Sequence, residues 1–182
     1  MFSEITVQIM FSKLQAIASI KMEGFKYIKK RFIHDMYYTH LPRGQVHSYK
    51  DLMANSILLR RFDDANSMMI YKHKFFDADD HVFFEDKYIC PVGRWKDATK
   101  IVSLANFNMW CEKKTELHIF ERNRREICVQ DVEGLGLFLE IESGTDIQSI
   151  PDLIKLAKSL RLPLDEDFHV KLPYVLYLKN KL

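Results

Sequence analysis

Most of this chain consists of strand-length segments separated by short turns, which restricts the folds that it can adopt. In residues 4–9 polar and apolar side chains alternate, so Ile5, Val7 and Ile9 share one face of a predicted strand. The other predicted strands lie at 25–38 (one long strand or a pair), 57–62, 68–75, 82–89, 109–120, 126–132 and 137–142. Because short turns join most neighbours, we expect antiparallel pairing.

Helices are predicted at three places between and after these strands. Ser12 and Gln15 have the spacing of a capping box, and Gly24 is a typical residue just beyond a helix end. The other two helices are predicted at 95–105 and 149–160, and an apolar tail follows at 172–178. The turns between strands are predicted at 63–66, 77–80 and 121–124. No repeat or linker interrupts this order, so residues 1–182 are predicted to form one domain.

Charge and composition exclude several classes of protein. The 27 Lys and Arg nearly balance the 25 Asp and Glu, which argues against a non-specific nucleic-acid coat. The N-terminus has no signal-peptide pattern, and no apolar stretch is long enough to cross a bilayer. Cys90, Cys111 and Cys128 form no CxxC pair. We therefore expect a cytoplasmic protein with reduced thiols.

The segment 131–142 carries two carboxylates in a strand pattern. Glu140 and Glu142 fall on one face, and the opposite face is apolar. Two carboxylates on one strand face supply oxygen ligands for a divalent cation. The alternative, favoured by the pattern alone, is an exposed polar face. Gly134 and Gly136 lack the third glycine and the following helix of a dinucleotide fingerprint, so they indicate a tight turn.

Cations recur inside several predicted strands. They occur as the pairs Arg60 and Arg61, Lys72 and Lys74, and Lys113 and Lys114. One interpretation is a solvated face. The other is that the sheet closes into a barrel whose lumen binds a polyphosphate through cations and a metal through carboxylates.

The segment 132–142, VEGLGLFLEIE, resembles the V-E-G-L-G-x-F-x-E-x-E signature of the CYTH superfamily, the triphosphate tunnel enzymes. This superfamily includes class IV adenylate cyclases and thiamine triphosphatases. Five further segments resemble its motifs in the same order: EITVQI at 4–9, HDMYY at 34–38, LLRR at 58–61 with YK at 71–72, FEDK at 84–87, and KKT at 113–115. The match spans nearly the whole chain.

The resemblance implies an α+β fold, a closed antiparallel β-barrel of about eight strands with flanking helices. It implies that the lumen binds a triphosphate and Mg²⁺ or Mn²⁺. Metal ligands would be Glu4, Glu140 and Glu142, and triphosphate ligands would be Arg60, Arg61, Lys72 and Lys113. In the cyclases, ATP gives cyclic AMP and pyrophosphate; in the triphosphatases, water attacks the triphosphate. No catalytic residue is assigned.

This chain departs from the family pattern at five positions that matter for the chemistry. Residues other than the family's acids or cations stand at Thr6, Gln8, Lys87, Thr115 and Gln130. Thr6 and Gln130 supply no anionic ligand, and Gln8 and Thr115 remove two cations. We hypothesise that the barrel persists while efficient cyclase chemistry is weakened.

Three classes of function follow from the sequence. They are a metal-dependent cyclase or triphosphatase, a polyphosphate- or nucleotide-binding module without turnover, and a protein that kept only the fold. The retained glutamates and lysines favour the first two. The expected partner is a nucleotide or other triphosphate, not nucleic acid or a membrane, and a homodimer is an allowed form.

Overall fold

The computed structural model describes residues 4–42, 45–46, 48–63, 66–76, 82–143 and 149–180. Its strands are β1 (Glu4–Gln8), β2 (Lys26–Thr39), β3 (Asn55–Phe62), β4 (Ser67–Phe76), β5 (Val82–Pro91), β6 (Asn108–Arg122), β7 (Arg125–Val132) and β8 (Gly136–Glu142). Its helices are α1 (Lys13–Met22), α2 (Tyr49–Met53), α3 (Trp95–Leu104), α4 (Ile150–Ser159) and α5 (Leu172–Lys179).

The eight strands form one sheet, and the prediction of a closed β-barrel is wrong. The strand order is β1-β8-β7-β6-β2-β3-β4-β5, and within the described residues no pairing joins β1 to β5. The outer edge of β1 is taken by a later segment of the chain. Thr6 N–H donates to the carbonyl of Phe168 at 3.1 Å, and Val170 N–H donates to the carbonyl of Thr6 at 3.0 Å. Because this segment satisfies the backbone groups of β1, the edge does not have to pair with another strand.

The chain divides into two compact units. Unit 1 consists of Met1–Phe32 and Thr115–Lys171, and unit 2 consists of Ile33–Lys114 and Leu172–Leu182. Strands β2 and β6 contribute to both.

The core of unit 1 lies on the apolar face of its strands. Ile5 and Val7 of β1 and Leu139 and Ile141 of β8 are fully buried, as the alternation predicts. They belong to one cluster with buried residues of α1 and α4. The opposite faces of β1 and β8 therefore carry the polar residues of both strands.

Unit 2 has a smaller apolar core. Tyr38 and Leu59, on the neighbouring strands β2 and β3, pack with Ala98 and Val102 of α3. Helix α3 thus covers the face of the sheet that carries the even-numbered residues of β2. The odd-numbered residues of that strand, Asp35 among them, lie on the other face.

The helices begin where the sequence signals predict. Ser12 caps α1, and its backbone N–H donates to Gln15 Oε1 at 3.2 Å, which completes the predicted capping box. Gly24 follows with φ +83°, a conformation that glycine adopts without strain. Ser149 caps α4, with Pro151 in its first turn.

Two helices differ from the predictions. The apolar tail at 172–178 is the helix α5, and the short helix α2 was not predicted. The predicted turn at 77–80, and residues 64 and 65 of the turn at 63–66, lie outside the described residues. No helix in the described ranges is both long and apolar enough to cross a membrane.

Candidate functional site

In unit 1, the register of β1 and β8 places the three predicted metal ligands on one strand face. Glu4 lies opposite Glu142, and Thr6 lies opposite Glu140. Directly opposed residues of an antiparallel pair project to the same side, so Glu4, Glu140 and Glu142 share a face. Glu140 is half-buried, and the other two are exposed. We call these three residues the carboxylate face.

Two departures from the family pattern contact this face directly. The amide Nε2 of Gln130, a residue that is 3% exposed, donates to Oε2 of Glu140. The hydroxyl of Thr6 donates to Oε1 of Glu4 at 3.4 Å. Each residue therefore supplies a hydrogen-bond donor where an acid would supply a further ligand. Such donors add no negative charge to the face.

The negative charges of the carboxylate face affect the pKa of a neighbouring thiol, that of Cys128. Cys128 lies opposite Glu140 on β7. Burial raises the pKa of the Cys128 thiol, and the charges of Glu140, Glu126 and Glu142 raise it further. The local potential is thus negative, as a cation site requires.

In donor chemistry, the carboxylate face fits Mg²⁺ or Mn²⁺, since both take carboxylate oxygens. Across the described part of the chain, however, no three or more His, Cys, Asp or Glu side chains are grouped closely enough to hold a metal ion. The assignment of Glu4, Glu140 and Glu142 as metal ligands stays a prediction.

In unit 2, a buried ion pair forms the centre of a second group of charged residues. Asp35 of β2 is 0% exposed and lies opposite Arg60 of β3. Arg60 binds it with two hydrogen bonds of 2.7 Å, from Nε to Oδ1 and from Nη2 to Oδ2. This bidentate geometry fixes the plane of the guanidinium group.

Further cations surround this pair. The Nζ atom of Lys113, a residue that is 8% exposed, is 3.8 Å from Asp35 Oδ2. On β4, Lys72 and Lys74 lie 3.7 and 2.9 Å from the carboxylate of Glu85. We call the four cations Arg60, Lys72, Lys74 and Lys113 the cation cluster; its two acidic partners are Asp35 and Glu85.

The pKa shifts in unit 2 show that positive charge is in excess there. Burial alone would raise the pKa of Asp35, but the charge and hydrogen bonds of Arg60, with the charges of Lys113 and Lys72, hold it below its usual value. The pKa of Lys72 is lowered by burial and by the charges of neighbouring cations, although Glu85 acts in the opposite direction. A cation whose charged form is disfavoured in this way gains by binding an anion.

The adjacent Arg60 and Arg61 project to opposite faces of β3. Arg61 lies opposite His34 and is exposed, whereas Arg60 lies opposite Asp35. Lys114 is likewise exposed, and its Nζ is 3.9 Å from Glu112 on the same strand. Of the predicted triphosphate ligands, the structure therefore groups Arg60, Lys72 and Lys113, and it places Arg61 on the other side of its strand.

Asp35 and Glu85 were not predicted as site residues, and Lys74 was predicted only as one of the recurring strand cations. Asp35 and Glu85 lie inside segments that resemble family motifs, and that resemblance was the sequence signal that could have identified them. Their importance appears only from the strand register, which brings Asp35 to Arg60 and Glu85 to Lys74. Thr115, which stands where the family has arginine, is 4% exposed, and its Oγ1 has no hydrogen-bond partner among the described residues.

One curated protein resembles the chain in sequence over most of its length. The chain is 28% identical over 165 residues, 84% of its length and 86% of the relative's, to the protein named "Putative adenylate cyclase MJ0240" of Methanocaldococcus jannaschii. No protein-family model matches the chain.

Solved structures share the fold over nearly the whole chain. The PH1012 protein of Pyrococcus horikoshii superposes with a TM-score of 0.71 at 20% identity, covering 96% of this chain and 99% of that one. A Hippeastrum protein, described as an adenylyl cyclase candidate with a dominant triphosphatase activity, superposes with a TM-score of 0.59 at 15% identity. That match covers 100% of this chain and 97% of the Hippeastrum chain. At these identities the structures establish the fold alone.

Proposed function

We propose, from the resemblance to the CYTH superfamily, that this protein binds a nucleotide or another triphosphate together with a divalent cation. The observation that carries the proposal is the cation cluster of unit 2. Burying charge is costly, and Arg60, Lys72 and Lys113 are held among few acids, so the cluster favours binding of a polyanion.

In this proposal three cations of the cation cluster have defined roles. Arg60, oriented by Asp35, presents a fixed guanidinium group to phosphate oxygens. Lys72 and Lys113 act as point charges that neutralise further phosphate oxygens. None of these residues has to form a covalent bond, because phosphoryl and nucleotidyl transfer depend mainly on positioning and charge neutralisation.

The carboxylate face of unit 1 is the proposed holder of Mg²⁺ or Mn²⁺, through Glu4, Glu140 and Glu142. A bound divalent cation would supply charge neutralisation on a phosphate group. Gln130 orients Glu140 through its hydrogen bond, but it contributes no charge. The metal affinity should therefore be lower than that of a face with an acid at position 130.

The reaction that we favour is that of a class IV adenylate cyclase, in weakened form, since the relative from Methanocaldococcus jannaschii is named as a candidate adenylate cyclase. A triphosphatase is the second candidate, because the Hippeastrum protein of the same fold is described with that activity. A module that binds without turnover is the third, since Thr6, Gln8 and Thr115 remove charged groups.

The first test is binding. We expect isothermal titration calorimetry with tripolyphosphate and with ATP, in Mg²⁺, to detect binding to the wild-type protein. Arg60→Lys should weaken it about tenfold or more, because lysine cannot reproduce the bidentate geometry. Arg61→Lys is the matched control, since Arg61 is exposed on the other strand face, and it should change the affinity by less than about twofold. No binding, or equal losses in the two variants, would contradict the proposal.

The second test separates the three activities. Wild-type protein is incubated with ATP and Mg²⁺ or Mn²⁺, and cyclic AMP, pyrophosphate and phosphate are measured. Cyclic AMP with pyrophosphate indicates a cyclase, phosphate release a triphosphatase, and neither product with intact binding a binding module. Glu140→Ala should abolish any metal-dependent product.

A further inference from the structure

Lys87 of β5, one of the five departures from the family pattern, lies on the same strand face as the cation cluster. The register places Lys87 directly opposite Lys72 of β4. Two residues further along, it places Glu85 opposite Lys74. Opposed residues of an antiparallel pair project to the same side, and residues two apart on a strand share a face. Lys87 therefore adds a positive charge to a face on which the cluster already lies.

The two opposed lysines form a close pair. Val92 N–H donates to the carbonyl of Ser67 at 2.8 Å, so these two residues form a hydrogen-bonded pair. Because the two kinds of pair alternate along the ladder, Lys72 and Lys87 form a non-hydrogen-bonded pair, in which side chains are closest. Like charges directly opposite each other are destabilising. Burial lowers the pKa of Lys72 most, and the charges of Lys74 and then Lys87 lower it further.

The acids of this face are already engaged by other cations. Glu85 lies 2.9 and 3.7 Å from the two lysines of β4, and Asp35 is bound by Arg60 with two hydrogen bonds. Among the residues that the structure describes, Lys87 has no ion-pair partner. With Lys87, five cations are grouped with two acids, an excess of three positive charges. A bound polyanion would relieve the repulsion within this group.

We propose that Lys87 is a further phosphate-binding residue, and that it lets unit 2 bind a phosphate chain without a divalent cation. This inference rests on the proposed function and deepens it. A carboxylate at position 87 would repel phosphate oxygens unless a divalent cation stood between them. The ammonium group of Lys87 neutralises those oxygens directly, as a point charge. The ligand of unit 2 is thus a polyphosphate group that is free of metal where it meets β5.

Reversal of the charge at position 87 tests this inference. Calorimetric titration with tripolyphosphate, at physiological ionic strength, is performed once in EDTA and once in Mg²⁺. We expect wild-type protein to bind in EDTA. Lys87→Glu should weaken that binding about tenfold or more, and it should weaken binding in Mg²⁺ clearly less, because the cation offsets the added carboxylate. Lys87→Gln should fall between wild type and Lys87→Glu.

Lys100→Glu is the matched control for this charge reversal. Lys100 is exposed on α3, the helix that packs on the opposite face of the sheet. Screening by salt should limit its effect to less than about twofold in both solutions. Equal losses in the two variants, or wild-type binding only in Mg²⁺, would overturn the role of Lys87 and leave the proposed function standing. An absence of binding in both solutions would overturn both.

The stability of the ligand-free protein gives a second readout. Lys87→Glu replaces a pair of like charges with an attractive pair, so its midpoint of thermal unfolding should rise by about 1–4 °C although its phosphate binding weakens. Lys100→Glu should stay within about 1 °C of wild type. A midpoint that falls in Lys87→Glu would show that Lys87 stabilises the strand pair, and the inference would then be wrong.

Discussion

The ion pairs of the two units differ in how far they are buried. In unit 2, Asp35 is fully buried, and its bidentate partner Arg60 is held by two short hydrogen bonds. In unit 1, Lys13 of α1 bridges Glu116 and Asp131 at 2.8 and 2.7 Å, but these three side chains are 38%, 19% and 34% exposed. One unit buries an ionic centre, and the other keeps its ion pairs near water.

This difference in burial indicates whether each group of charges stabilises the fold or has another role. Solvent-exposed ion pairs contribute little to stability, and they cost little to form. A buried pair loses hydration that its attraction only partly restores, so apolar residues would serve the fold as well or better. The burial of Asp35 and its cations inside unit 2 therefore supports the proposal that they present fixed positive charge to a ligand.

The largest effect that we expect comes from breaking the buried pair. Asp35→Ala leaves the Arg60 guanidinium group without its partner, and the free energy of unfolding should fall by about 3–5 kcal/mol. Asp131→Ala is the matched change in unit 1 and should cost less than about 1 kcal/mol, because Asp131 and Lys13 are partly solvated. Urea denaturation of both variants measures the difference. Equal losses would show that the two units do not differ in the way described.

The strands of this fold could be predicted well because they depend on local pattern. Alternation in 4–9 and 137–142 placed β1 and β8 correctly, and the capping box at Ser12 placed the start of α1. Closure into a barrel was predicted from the resemblance, and it is wrong. The edge of β1 is instead occupied by the segment containing Phe168, a pairing between residues far apart in sequence that no local pattern encodes.

The candidate site was predictable only in part, because it also depends on pairings between residues far apart in sequence. The strand period of two already implied that Arg60 and Arg61 point to opposite faces, and the structure shows which one joins the cluster. Asp35 could not be selected, because a single acid in a strand is usually exposed, and its burial depends on the register of β2 and β3. The contact between Gln130 and Glu140 likewise requires the side-chain positions.

At the carboxylate face we expect an effect of intermediate size on metal affinity when a negative charge is added. Gln130→Asp replaces the donor to Glu140 with a further carboxylate, and it should tighten Mn²⁺ binding about tenfold. Gln130→Asn is the control, since it keeps an amide without adding charge, and it should not tighten binding. Calorimetric titration with MnCl₂ measures both. If Asn and Asp have the same effect, charge is not what limits metal affinity in unit 1, and the contrast with unit 2 is weaker than we infer.

The smallest effect concerns the exposed network of unit 1 and its response to pH. The hydrogen bond from Lys13 lowers the pKa of Glu116 to about 2, and His118 and Lys30 act in the same direction, although burial opposes them. Because the folded pKa lies below the usual value, the ionised carboxylate stabilises the fold above about pH 4.5. This contribution is lost as the pH falls towards 2. Glu116→Gln should therefore be less stable than wild type at pH 7, by under about 1 kcal/mol because solvent screens the pair.

That difference should shrink steadily between about pH 4.5 and 2, since protonation gives the wild-type side chain the same neutral charge as glutamine. Urea denaturation at a series of pH values measures it. Glu112→Gln is a suitable control, because Glu112 is 42% exposed and pairs with His34 in unit 2. A loss of several kcal/mol in Glu116→Gln at pH 7 would mean that unit 1, like unit 2, depends on an ionic centre that water does not screen.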